Sequence, residues 1–131
     1  MNKSLRERTR KVNAFPSRAA YNKARLGRLG ERVALCAYLL QGYCPMPRLR
    51  NEHVQTDLLL KRGSTLVLVE VKTRSRTEPF AKVLSPSQKA RLAKQVVFWV
   101  ARYPHMGVRL DVVHLSLKWP FWQRWENILA P

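Results

Sequence analysis

Apolar residues recur at Leu26, Leu29, Val33, Cys36 and Leu40, the spacing of one helix face, and predict a helix over 24–41. Leu35, Ala37 and Leu39 widen that stripe, so most of the helix is expected to be buried, with Cys36 a small core residue. Gly42 stands where a C-terminal cap belongs. The stretch 43–49 has strand character, but Pro45 and Pro47 restrict it to an edge or irregular strand. Two apolar runs follow, 57–61 and 66–72, joined by the turn residues Arg62-Gly63-Ser64-Thr65; they predict a hairpin. A polar loop is expected over 73–84. Ser85-Pro86-Ser87-Gln88 then carries an N-cap, a proline at the first helical position and a capping-box glutamine. Leu92, Val96, Trp99 (or Val100) and Tyr103 mark the buried face of that helix, and Pro104 stops it. A last strand is expected over 108–117. Trp119, Trp122 and Trp125 recur every third residue, which puts them on one side of a helical turn, as packing residues, a dimer contact or a platform for unpaired bases. The order αβββαβ is that of a mixed α/β domain.

Composition changes this picture in one respect. The chain has 131 residues, enough for one domain with a sizeable core, and carries 25 Lys+Arg against 8 Asp+Glu, a formal charge of +17. Such a surplus favours a polyanionic partner, nucleic acid ahead of an anionic membrane surface. Residues 1–28 hold nine bases and one acid and are read as a basic arm over 1–23; the folded domain spans 24–131 and stays strongly basic. No apolar run reaches transmembrane length, and no apolar leader core opens the chain. Cys36 and Cys44 lack disulfide-scaffold or zinc spacing, so a reduced, cytoplasmic protein is expected. His114 reads as a satisfied structural histidine.

Because acids are scarce, their positions carry information. Closing the hairpin pairs Lys61 with Leu66, Leu59 with Leu68, and Asp57 with Glu70, so two carboxylates face each other at a Cβ separation of about 5 Å. At an effective dielectric of about 20 they repel by roughly 3 kcal/mol, a cost that a divalent cation with hard oxygen ligands would reverse. Lys72 shares the face of Glu70, where it can orient or deprotonate an attacking water or offset charge on a phosphate. The plainer alternative is a solvated Glu70–Lys72 ion pair. Lys72, Arg74, Arg76, Lys82, Lys89, Arg91 and Lys94 against the single acid Glu78 read as a phosphate-binding rim or a solvated face.

Asp57 followed by Glu70-Val71-Lys72, on the second and third strands of such a unit, resembles the PD-(D/E)xK nucleases, that is, the restriction-endonuclease-like fold with a mixed central sheet flanked by helices. More narrowly, "GRLGERVALCAYLLQGY", "RN" at 50–51, "TDLLL", "LVEVKTR", Lys89 and "RLDVV" resemble the bacterial YraN-like proteins, relatives of Holliday junction resolvases. The resemblance covers about residues 24–129. It implies that Asp57, Glu70 and the Val71 carbonyl bind Mg²⁺ (or Mn²⁺), that Lys72 is the active-site lysine, and that Glu31 is an extra acid aimed at the site. It further implies that Thr73, Arg74, Arg76 and Lys89 contact nucleic acid, most naturally DNA, that Asp111 is structural or supports the site from behind, and that a homodimer is an option. The family pattern Gly-Glu-Ile-Asp is here Val54-Gln55-Thr56-Asp57. Three functions compete: a metal-dependent endonuclease on branched or processed DNA, a nucleic-acid-binding protein that keeps the fold without catalysis, and a basic adaptor for protein partners.

Overall fold

The computed structural model describes residues 17–46 and 57–129. Helix α1 spans Arg18–Leu40, β1 Cys44–Pro45, β2 Leu58–Arg62, β3 Thr65–Arg74, α2 Phe80–Val83, α3 Pro86–Arg102, β4 Gly107–Ser116 and β5 Trp122–Trp125. The strands form one sheet in the order β1-β2-β3-β4-β5, in which only the central β3–β4 pair is parallel. Helix α3 supplies the crossover that a parallel pair needs. This is the expected mixed α/β architecture, with α2 and β5 added. The expected order αβββαβ thus becomes αβββααββ once the short elements are included.

β3 is central and covered on both faces, which is why its first half is an unbroken apolar run. Leu66 and Leu68 face α3 and join Leu59, Leu84, Leu92, Trp99, Leu110 and Val112 in one core. Val67 and Val69 face α1 and join Ala34, Tyr38, Tyr43, Leu58, Leu60 and Val113 in the other. Truncating a fully buried leucine such as Leu68 to alanine costs about 2–5 kcal/mol. Gly63, at φ +59, supplies the left-handed first position of the two-residue hairpin loop. The capping box forms as expected: Gln88 donates its backbone N–H to Ser85 Oγ at 3.2 Å, and the Ser85 N–H donates to Gln88 Oε1 at 2.9 Å.

Several expectations are corrected. Helix α1 begins at Arg18, within the segment read as an arm, while residues 1–16 lie outside the described ones. Its buried stripe is Gly30, Ala34 and Tyr38, not the leucine stripe; Leu29, Val33, Cys36 and Leu40 are exposed. The reason is close packing. A Cβ on Gly30 would lie 2.1 Å from Thr73 Oγ1, so the small side of the helix meets the sheet and the larger residues are pushed to its flanks. Trp122 and Trp125 lie on β5, where residues three apart face opposite sides; they pack against the α1-side and α3-side cores respectively, and there is no helical turn. The expected loop over 73–84 contains the end of β3 and α2, whose Val83 is buried, as is Leu84.

Asp111 is the structural acid that its motif implied. It is fully buried on the α1 side and accepts hydrogen bonds from Tyr38 Oη at 2.7 Å, Arg109 Nε at 2.9 Å, Arg109 NH2 at 3.0 Å and the Asn127 N–H at 3.0 Å. Arg124 Nε lies 3.8 Å away. Burial and the bond to Asp111 push the Tyr38 hydroxyl pKa well above its ordinary value. Burial works against the charge of Arg109, but its bonds to Asp111 and Tyr43 prevail and raise its pKa.

Candidate active site

The hairpin register is Leu58↔Val69, Leu59↔Leu68, Leu60↔Val67 and Lys61↔Leu66, the one the apolar pattern predicts. Extended by one residue it sets Asp57 opposite Glu70. Asp57 Oδ2 accepts the Val71 N–H at 2.9 Å, which ties the start of β2 to the outer half of β3. Alternation along the strands sends Asp57, Glu70 and Lys72 to the α3 side.

Glu70 is 5% exposed in a strand of leucines and valines. Its Oε1 meets Lys72 Nζ at 3.2 Å and Arg91 NH2, from α3, also at 3.2 Å. Burial, and next the negative charge of Asp57, raise the Glu70 pKa above its usual value; Lys72 and Arg91 oppose this without cancelling it. A solvated surface ion pair would be exposed, and this one is not. Burial and the facing Asp57 carboxylate both disfavour the charged form of Glu70.

The remaining residues named from sequence are distributed more widely. Glu31 sits on α1, on the opposite side of the sheet, where it borders a depression with Arg28, Arg32, Leu35 and Leu58, the neighbour of Asp57. Among the described residues, no group of three or more His, Cys, Asp or Glu side chains comes together to hold a metal ion. Thr73 points to the α1 side, its hydroxyl buried without a hydrogen-bond partner among the described residues. Arg74 NH1 donates to the Thr73 carbonyl at 2.9 Å. Arg76 is exposed in the loop after β3, and Lys89 is exposed on α3 with Nζ 6.0 Å from the Phe80 ring centroid. Gln55 and the rest of 47–56 lie outside the described residues.

Three residues at this end of the sheet were not anticipated. Arg91 was read only as part of a basic run, yet it reaches Glu70. Gln95 is buried on α3; its spacing of three from Leu92 and four from Trp99 was the available signal. His114 pairs in register with Lys72 and is fully buried, but neither ring nitrogen has a hydrogen-bond partner among the described residues, so it is not a satisfied structural histidine. Burial lowers its pKa.

Among the described residues, no helix is long and apolar enough to cross a membrane. Residues 30–115 match UPF0102, described as an uncharacterised protein family. A UPF0102 protein of Parvibaculum lavamentivorans is 36% identical over 116 residues, covering 85% of this chain and 85% of that protein. One from Methylorubrum populi is 33% identical over 112 residues, covering 80% and 90%. One from Frankia alni is 37% identical over 99 residues, covering 72% and 82%.

Proposed function

The chain belongs to the UPF0102 family, the YraN-like family its motifs resemble, and from that membership and the site geometry we propose that it is a metal-dependent DNA endonuclease acting on branched or processed DNA. The observation that carries this reading is the buried Glu70 carboxylate, set opposite Asp57 in the hairpin register and held 3.2 Å from Lys72.

The donor set fits a hard divalent cation. Glu70 and Asp57 offer carboxylate oxygens, and burial together with the facing Asp57 charge raises the Glu70 pKa. Asp57, Glu70 and the Val71 carbonyl would hold Mg²⁺ or Mn²⁺, which when bound supplies Lewis-acid stabilisation of charge on the scissile phosphate. The chain's own groups do the rest. The Val71 N–H fixes the Asp57 carboxylate. Arg91 steadies Glu70 from α3, and Lys72 stands where it can orient a water for attack on phosphorus. Arg74, Arg76 and Lys89 offer positive charge around the same end of the sheet for the flanking phosphates.

The second reading, DNA binding without turnover, is favoured by one observation. Glu70 already has two cationic partners, so the pair is internally compensated in part.

The test is incubation with labelled Holliday junction, flap, single-stranded and duplex DNA in Mg²⁺, Mn²⁺ or EDTA, beside Asp57→Asn and Glu70→Gln. Metal-dependent cleavage that both variants lose supports the endonuclease. DNA bound at least as well by both variants as by the parent, and never cut, overturns it in favour of the binding protein.

A further inference from the structure

The loop between β4 and β5 turns its polar atoms inward and its aromatic rings outward. Ser116 Oγ donates to the Pro120 carbonyl at 3.1 Å and also contacts the Lys118 carbonyl; the Ser116 N–H donates to the Phe121 carbonyl at 3.0 Å. The Thr77 hydroxyl, from the loop after β3, lies 3.0 Å from Ser116 Oγ and 3.3–3.4 Å from the carbonyls of Lys118, Trp119 and Pro120. A hydroxyl donates one hydrogen at a time, so it serves whichever acceptor is best aligned. Trp119 and Phe121 project from this fastened backbone, 82% and 55% exposed, with rings 6.0 Å apart and nearly perpendicular. Exposed rings on a tethered loop form a preset surface rather than a collapsed one.

Beside Phe121 runs an apolar cavity of about 190 Å³, bordered by Leu26, Leu29, Val33, Leu115, Leu117 and Phe121. Its outer rim is basic. Arg25, Arg28 and Arg32 alternate with Leu26, Leu29 and Val33 along α1, and Lys118 immediately precedes Trp119; all four bases are exposed. Glu31 and Glu78 are the acids nearby in sequence. Apolar faces interleaved with cations match the bases and phosphates of a single strand. Arg74 pairs in register with Ser116, and Lys72 with His114, so this surface lies at the same end of the sheet as Glu70.

We propose that Trp119, Phe121 and the adjoining cavity bind unpaired nucleotides, stacking one base on Trp119 while Arg28, Arg32 and Lys118 hold the flanking phosphates. This deepens the DNA reading by naming single-stranded segments as what the protein grips, but it does not require cleavage. Fluorescence anisotropy in EDTA compares a labelled oligo(dT) of about ten nucleotides with a blunt duplex, for the parent, Trp119→Ala, Trp119→Phe and Phe121→Ala. The expected result is a loss of oligo(dT) affinity of about fivefold or more in each alanine variant, recovery in Trp119→Phe, and duplex affinity unchanged. Equal losses on both DNAs, or none, overturn the proposal. So does a shift of Trp119→Ala from dimer to monomer in sedimentation, or a loss confined to anionic vesicles. Because EDTA removes cleavage from the assay, a protein that never cuts DNA can still pass this test. Unchanged unfolding midpoints verify that the variants fold.

Discussion

Asp57 reaches across the hairpin to accept the Val71 N–H at 2.9 Å, one residue beyond Glu70. That bond sets the first acid of the chain's central motif against the second. Asp57→Asn keeps an oxygen acceptor for the Val71 amide but removes the charge facing Glu70. Its fold is expected to persist; millimolar Mg²⁺ is expected to raise the thermal midpoint of the parent and not that of the variant, as read by differential scanning fluorimetry.

Glu70 has the opposite stability behaviour from an ordinary paired acid. Its pKa is raised in the folded chain, so its contribution is fully present below the unfolded value of 4.5 and is lost as pH rises through the folded value. At neutral pH Glu70→Gln is therefore expected to be more stable than the parent, the two converging below pH 4.5. Urea unfolding across this range checks the sign; a less stable variant at neutral pH would show that the Lys72 and Arg91 pairs outweigh burial.

Gly30→Ala puts a methyl group 2.1 Å from Thr73 Oγ1. Overpacking of this kind costs about 1–3 kcal/mol. Removing the clashing oxygen with Thr73→Ala is expected to recover part of that loss, and a double-mutant cycle on urea unfolding measures the coupling.

Asp111→Ala strips the acceptor from Tyr38, Arg109 and the Asn127 amide at once. It leaves a partly buried guanidinium without its bidentate partner, a change worth about 3–5 kcal/mol. Much of the stability of a domain this size is at stake, so the variant is expected to unfold at markedly lower urea concentration.

His114 is neutral in the fold because burial depresses its pKa below 6.5. As pH falls through 6.5 the unfolded chain takes up the proton first, so stability declines from there down to the folded pKa. Relative to the parent, His114→Phe is expected to lose less unfolding free energy between about pH 7 and pH 5. A parent–variant difference that stays constant over that interval contradicts the assignment.

The sequence by itself determined the hairpin, its register, the capping box and the pairing of Asp57 with Glu70. These are local: strand alternation, turn residues and caps act between neighbours in the chain or across one short loop. Asp111 was marked as a structural or supporting acid by the family motif it matches, not by local pattern. Only the tertiary structure decided which side of α1 is buried. Residues 33–40 are apolar on every side and leave that choice to the partner surface, and the sheet at Thr73 lies against Gly30, on the face that carries Ala34 and Tyr38. Tertiary packing likewise brought Arg91 to Glu70 across 21 residues, left His114 without a hydrogen-bond partner among the described residues, and turned the tryptophan tail into a strand and an exposed loop. Spacing of three fits a helical turn, but the open edge of β4 offered backbone hydrogen bonds, and pairing there outweighed the local period.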